Sequence, residues 1–76
     1  MSDKAMAHIK TSIALAPDDA NVLSNVGEAY ESLGDRTQAL QFVHKSLAKG
    51  YALEDIRNAP GLQSLIADPR FKPAGK

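Results

Sequence analysis

Three features of the sequence predict an all-α fold. Apolar residues recur at helical spacing in three successive segments, Pro17 separates the first segment from the second, and Leu33-Gly34-Asp35 separates the second from the third. A connection of two or three residues makes the second and third helices lie antiparallel. The 76 residues suffice for one small domain. We therefore expect a single domain over residues 1–76, built around one helix-turn-helix unit.

The first helix is predicted from Asp3 to Leu15. Its apolar residues lie at positions i, i+3, i+7 and i+10, which places them on one stripe of a helix: Met6, Ile9, Ile13 and Ala16. Pro17 cannot continue the hydrogen-bond ladder, and it disfavours the helical conformation of the residue before it. The first helix should therefore end just before Pro17.

The second helix is predicted to begin near Ala20, where the carboxylate of Asp18 or Asp19 can cap the free amides. Its apolar stripe is formed by Leu23, Val26, Tyr30 and Leu33. Gly27 lies beside that stripe, although a glycine inside a helix costs about 1 kcal/mol relative to alanine. This glycine indicates close approach of another helix, and the alternative is a neutral, exposed position.

The third helix follows the turn at Gly34, which is placed to adopt the left-handed conformation that ends a helix. Asp35 and Gln38 have the spacing of a capping box. Four apolar residues are expected to face the second helix: Ala39, Leu40, Val43 and Leu47. Gly50 is predicted to end this helix.

Residues 51–76 are predicted to form a C-terminal cap and tail. Short helices are expected around Leu53 to Asn58 and from Pro60 to Ala67, with Asp68-Pro69 as the stop. The apolar positions are Ile56, Leu62, Leu65, Ile66 and Phe71. Stacked helical units leave the apolar face of their last helix exposed, so this segment is suited to cover it.

Composition argues against several classes of function. Nine Lys and Arg balance nine Asp and Glu, which removes the long-range field that attracts nucleic acid or anionic membranes. The sequence contains no cysteine, so thiolate metal sites are excluded. No apolar run approaches the ~18 residues of a membrane span. We expect no nucleic-acid partner, no membrane partner and no cofactor.

The polar residues do not form a catalytic pattern. His8 and His44 lack further metal ligands and are expected to be half-exposed helix residues. Ser46 lies two residues from His44, so their side chains point in different directions on one helix. Glu28 and Glu31 are three residues apart, and a solvated face is the simpler interpretation. We therefore predict no catalytic residue and no metal site, and we expect that the protein is not an enzyme.

The helix-turn-helix unit resembles the 34-residue tetratricopeptide repeat. The residues that carry the resemblance are Leu23, Val26-Gly27, Tyr30, Leu33-Gly34-Asp35 and Ala39-Leu40. We take Leu23, Gly27, Tyr30, Gly34 and Ala39 as its structural signature. The chain departs from the repeat at three places, where Val43 replaces the usual aromatic residue, Ser46 stands at the small position and Tyr51 replaces the closing proline.

The same resemblance divides the chain. Residues 20–50 correspond to a complete repeat, and residues 1–19 are similar to the second half of a preceding one, with Ala5, Ile9, Ser12 and Pro17 at matching positions. The resemblance implies a fragment of a right-handed α-α superhelix closed by a capping helix. The tail is also similar to segments that close repeat arrays in bacterial regulatory proteins, which implies a cytoplasmic, bacterial setting.

Tetratricopeptide repeats commonly bind a protein or peptide on the concave face formed by the first helix of each unit. The resemblance implies that this surface consists of Asn21, Ser24, Asn25, Glu28 and Glu31, with Ser32 as the alternative to Glu31 towards the turn. Glu28 would repel an acidic ligand, since no cation takes its place. We therefore expect a non-catalytic scaffold whose groove prefers polar or basic peptide segments.

Self-association is the alternative. The half repeat at the N-terminus lacks its front helix, so the stripe formed by Met6, Ile9 and Ile13 is expected to be uncovered. Exposed apolar faces promote association. In this case the chain is a dimerisation module that acts through its first helix.

Overall fold

The computed structural model describes residues 2–72, which form five α-helices and no β-strand. The helices are α1 Ser2–Leu15, α2 Ala20–Ser32, α3 Arg36–Ala48, α4 Leu53–Asn58 and α5 Gln63–Ile66, with a 3-10 turn at Pro60–Leu62. The all-α prediction is confirmed, and the predicted start of α1 differs from the observed one by a single residue.

Side-chain caps begin both central helices. Asp19 Oδ1 accepts hydrogen bonds from the backbone N–H groups of Asn21 (2.8 Å) and Val22 (3.1 Å), so Asp19 rather than Asp18 is the cap of α2. Asp35 accepts a hydrogen bond from the N–H of Gln38 at 3.1 Å. The expected capping box is only half formed, because the N–H of Asp35 donates to the carbonyl of Tyr30 in the preceding turn.

Both central helices end at a glycine in the left-handed conformation. Gly34 has φ +85° and Gly50 has φ +104°. After α2 the N–H groups of Gly34 and Asp35 donate to carbonyls of the last helical turn, and Gly50 and Tyr51 do the same after α3. This pair of hydrogen bonds is the Schellman motif. Both predicted helix ends are confirmed, and residue 34 reverses the chain so that α3 packs along α2.

Gly27 is the point of close contact between α2 and α3. A Cβ atom at residue 27 would lie 2.8 Å from Val43 Cγ2, 3.2 Å from Val43 N and 3.3 Å from Ala39 O. Two of these three atoms belong to the backbone, which cannot move aside easily. The close approach predicted from this mid-helix glycine is confirmed, and the exposed alternative is wrong.

The core has two parts. One lies between α3 and the C-terminal segment, and its buried residues are Ala39, Leu40, Val43, Ile56, Leu62 and Leu65. The other lies between α1, α2 and α3, and it contains Ile9, Leu23, Val26 and Phe42. Tyr30 packs against both parts and stacks on Phe42 with ring centroids 5.6 Å apart. Leu47, expected to face inward, is only partly buried.

The C-terminal segment departs from one prediction. A single helix was expected from Pro60 to Ala67, but the chain forms the 3-10 turn Pro60–Leu62 and then the separate helix α5. The N–H of Leu62 donates to the carbonyl of Ala59, an i to i+3 bond that tightens this turn. The turn buries Leu62 completely and lies against α2.

Candidate functional site

The outer face of α2 forms a shallow groove, which we call the α2 groove. Its lining residues are Asn25, Glu28, Ala29, Ser32 and Gly61, and its volume is about 410 Å3. Helix α2 supplies the floor, and Gly61 in the 3-10 turn supplies one wall. A narrow crevice between α1 and α2 shares Asn25 and Ala29 with this groove. The groove and the crevice therefore form one continuous surface from α1 across α2 to the C-terminal segment.

Glu28 is the charged residue of the α2 groove. Its carboxylate lies beside Gly61, where an added Cβ would be 3.0 Å from Glu28 Oε2. Glu28 forms no salt bridge with any cation in residues 2–72. A carboxylate without a cation partner leaves the groove with negative charge, so the groove is electrostatically suited to cationic groups.

Glu31 lies one turn further along α2, in a different environment. Arg36 donates to both of its carboxylate oxygens, at 2.7 Å from Nε and 2.6 Å from Nη2. The side chain of Glu31 is only 12% exposed. A paired, bidentate carboxylate offers little charge to a ligand. Glu31 therefore holds α2 to the start of α3 and does not line the groove, which corrects its expected place on the binding face.

Arg36 extends this ion pair to the C-terminal segment. Its Nη1 donates to Asp68 Oδ2 at 2.9 Å, and Arg70 donates to the same carboxylate from its backbone N–H and its guanidinium. Hydrogen bonds from Arg70, and then from Arg36, hold the pKa of Asp68 well below its usual range. Hydrogen bonds to Glu31, and then to Asp68, raise the pKa of Arg36 above its already high ordinary value. The four charges tie the tail to both central helices.

Of the five residues expected on the binding face, Asn25 and Glu28 line the α2 groove, as does Ser32, the alternative to Glu31. Asn21 is exposed in the first turn of α2 but does not line the groove. Ser24 is only 5% exposed and does not line the groove, so it contributes little to the face on which it was expected, which corrects that prediction. The error arises because the C-terminal segment and α1 both pack on α2. The solvent-exposed strip of α2 is therefore narrower than the repeat pattern implies.

The apolar stripe of α1 is covered more fully than expected. Ile9 is 1% exposed and packs with Leu23, Val26 and Phe42. Met6 and Ile13 are partly buried against the same cluster. The expectation of an uncovered stripe is therefore wrong at Ile9, because α2 and Phe42 of α3 bury that side chain. Self-association through Met6 and Ile13 stays a prediction.

The histidines occupy different environments. His44 is half-buried, stacks on Phe71 with ring centroids 5.6 Å apart, and accepts a hydrogen bond from the N–H of Lys72 at Nε2. His8 is exposed on α1, where half-exposure was expected. Within residues 2–72, no three His, Asp or Glu side chains are grouped as metal ligands would be. No helix of the described chain is long and apolar enough to cross a membrane.

Two residues of the α2 groove were not expected from the sequence. Ala29 lies one turn after Asn25 and could have been found from helical spacing. Gly61 lies 33 residues beyond Glu28, and nothing in the local pattern connects the two. Only the fold of the C-terminal segment brings Gly61 to α2.

Comparisons of this chain with models of protein families, with curated proteins and with solved structures found no match.

Proposed function

We propose that this chain is a non-catalytic protein-interaction module that binds a basic peptide segment in the α2 groove. The observation that carries the proposal is the carboxylate of Glu28, which lines the groove and has no cation partner in residues 2–72. Exposed Asn25 and Ser32 add hydrogen-bonding groups beside it. Lys or Arg in an extended peptide is the complementary ligand chemistry.

The proposal includes a tetratricopeptide-like arrangement, with residues 20–50 as one repeat and the C-terminal segment as its cap. Two features support it. Gly27 provides the close helix contact that the resemblance implies, and Gly34 makes the turn between the paired helices. The bacterial, cytoplasmic setting that the resemblance implies belongs to the same proposal.

Peptide titration tests the proposed function. Two labelled peptides of equal length, one with lysines spaced by serine and glycine and one with glutamates in their place, are titrated against the protein while fluorescence anisotropy is recorded. We expect the lysine peptide to bind more tightly than the glutamate peptide. Its affinity should fall as the salt concentration rises, because salt screens the charges. Tighter binding of the glutamate peptide, or binding of neither, would overturn the proposal.

A matched pair of variants locates the binding site. Glu28→Gln keeps the size of the side chain and removes its charge, so we expect weaker binding of the lysine peptide, by up to about fivefold for an exposed ion pair. Glu54→Gln makes the same change at an exposed residue of α4, which lines a different depression. The Glu54 variant should bind like the wild type, and an equal loss in both variants would argue against the α2 groove.

A further inference from the structure

We infer that Gly61 is a specificity-determining residue that positions the Glu28 carboxylate in the α2 groove. This inference rests on the proposed function, because it identifies what sets the charge preference of the same groove. It assigns the C-terminal segment a second role. Besides covering the core, the segment forms one wall of the binding surface.

The contact with Glu28 is what a side chain at residue 61 would disturb. A Cβ atom there would lie 3.0 Å from Glu28 Oε2, 3.2 Å from Cγ and 3.4 Å from Cδ. Positive φ angles among the described glycines occur at Gly34 and Gly50 and not at Gly61. An alanine at residue 61 is therefore compatible with the backbone conformation, and its methyl group would conflict with the side chain of Glu28.

The turn that carries Gly61 is held firmly on both sides. Pro60 restricts the backbone before it, and Leu62 after it is fully buried in the core. Glu28 is a flexible side chain on the solvent side of α2, and it is half-buried. When a methyl group is added at residue 61, the Glu28 carboxylate will therefore move and the turn will stay. A carboxylate that shifts by a few tenths of an ångström, or that changes rotamer, meets a cationic ligand in a different geometry.

A double-mutant cycle tests this inference. Binding of the lysine peptide is measured for the wild type, Gly61→Ala, Glu28→Ala and the double variant. We expect Gly61→Ala to weaken binding by at least about threefold when Glu28 is present, within the range of an exposed ion pair. In the Glu28→Ala background the same change should have no effect, because the side chain that it displaces is absent.

Two further measurements separate binding from structure. The carboxyl 13C resonance of Glu28 is recorded by NMR without peptide, and we expect it to shift in Gly61→Ala. Thermal unfolding of each variant establishes that the protein is folded. Ser64→Ala, an exposed position on α5, serves as the control that should change neither the resonance nor the affinity.

Each outcome has a defined meaning. An equal loss of affinity from Gly61→Ala in both backgrounds, or an unshifted Glu28 resonance, would overturn the positioning role of Gly61. A shifted resonance in a protein that binds neither peptide would support the positioning role and overturn the proposed function. Weaker binding in Glu28→Ala together with unchanged binding in Gly61→Ala would support the function and overturn the inference.

Discussion

The two sides of the α2–α3 pair are covered in different ways. On one side, among its described side chains, the 14-residue helix α1 contributes the buried Ile9, with Met6 and Ile13 partly buried beside it. On the other side the short helices and turn after residue 50 contribute three apolar residues that are 0% exposed: Ile56, Leu62 and Leu65. Among the described side chains, the irregular segment therefore contributes more fully buried apolar residues than the long helix does.

The difference shows that regular helix length is a poor measure of a segment's contribution to the core. A straight helix meets its neighbour along one stripe, whereas a chain that bends at Pro60 can follow the surface of α3 and place side chains at several angles. The bend also carries Gly61 across to α2. Stability and the candidate site therefore both depend on the C-terminal segment.

The largest expected effect is on the C-terminal side. Leu62→Ala removes a fully buried side chain and should lower the free energy of unfolding by about 2–5 kcal/mol. A domain of this size has a total stability of roughly 4–11 kcal/mol, so the substitution should remove a large fraction of it. Urea unfolding followed by circular dichroism measures the change.

Leu15→Ala is the matched control for that experiment. Leu15 is 81% exposed at the end of α1, so the same substitution removes almost no buried contact. We expect a stability close to that of the wild type. Similar losses at Leu15 and Leu62 would mean that the C-terminal segment does not close the core as described.

The second effect concerns the contact between α2 and α3, which both sides share. Gly27→Ala places a methyl group 2.8 Å from Val43 Cγ2 and against two backbone atoms of α3. Overpacking of this kind costs about 1–3 kcal/mol, and the better helix propensity of alanine offsets up to about 1 kcal/mol. We expect a net loss of stability in urea unfolding.

Asn25→Ala, on the exposed side of the same helix, supplies the control for Gly27→Ala. Its helix propensity improves and it introduces no contact with α3, so we expect equal or slightly greater stability than in the wild type. A stabilising Gly27→Ala would show that the two helices can separate at this point at little cost.

The third effect lies on the α1 side and should be smaller. Met6→Ala removes a side chain that is only partly buried, so we expect a loss of about 1 kcal/mol. Lys4→Ala on the exposed face of α1 is the control and should be near neutral. If Met6→Ala were as costly as Leu62→Ala, the contrast between the two sides would be lost.

Much of the fold was predictable because its signals are local. The caps at Asp19 and Asp35, the left-handed Gly34 and the close contact at Gly27 each follow from a residue type at a particular place in a helix pattern. These features depend on interactions within a few residues or across one short turn, so the sequence displays them directly.

The candidate site was predictable only in part, because it depends on distant packing. Asn25 and Glu28 were expected on the binding face, but the burial of Ser24 and the pairing of Glu31 with Arg36 were not. The first error comes from how α1 and the C-terminal segment pack on α2, and the second from the position of Arg36 at the start of α3. The two glutamates lie at positions i and i+3, so the sequence gives them the same place on one helix face. Only their tertiary neighbours distinguish Glu28 from Glu31.

The smallest expected effect is pH-dependent and concerns how the C-terminal segment is attached. Hydrogen bonds from Arg70, and then from Arg36, hold the pKa of Asp68 below its usual range in the folded protein. A carboxyl group whose pKa is lower in the folded protein than in the unfolded chain contributes its full stabilisation at pH values above the pKa of the unfolded chain, about 3.9. That contribution is lost as the pH falls towards the pKa of the folded protein. We therefore expect Asp68→Asn to lower the melting temperature at pH 7, by less than Leu62→Ala does, and the difference from the wild type to shrink below about pH 4.

Thermal unfolding at a series of pH values checks this prediction, with Asp55→Asn as the control at an exposed carboxylate of α4 that forms no salt bridge within residues 2–72. Asp68→Asn also breaks a link that Arg36 makes between the C-terminal segment and Glu31 on α2. If the difference between the wild type and Asp68→Asn stayed constant from pH 7 to pH 3, the charge of Asp68 would not stabilise this attachment. Buried apolar residues such as Leu62 would then hold the segment without help from the ion pairs, which would make the two sides of the molecule alike in the kind of interaction that covers them.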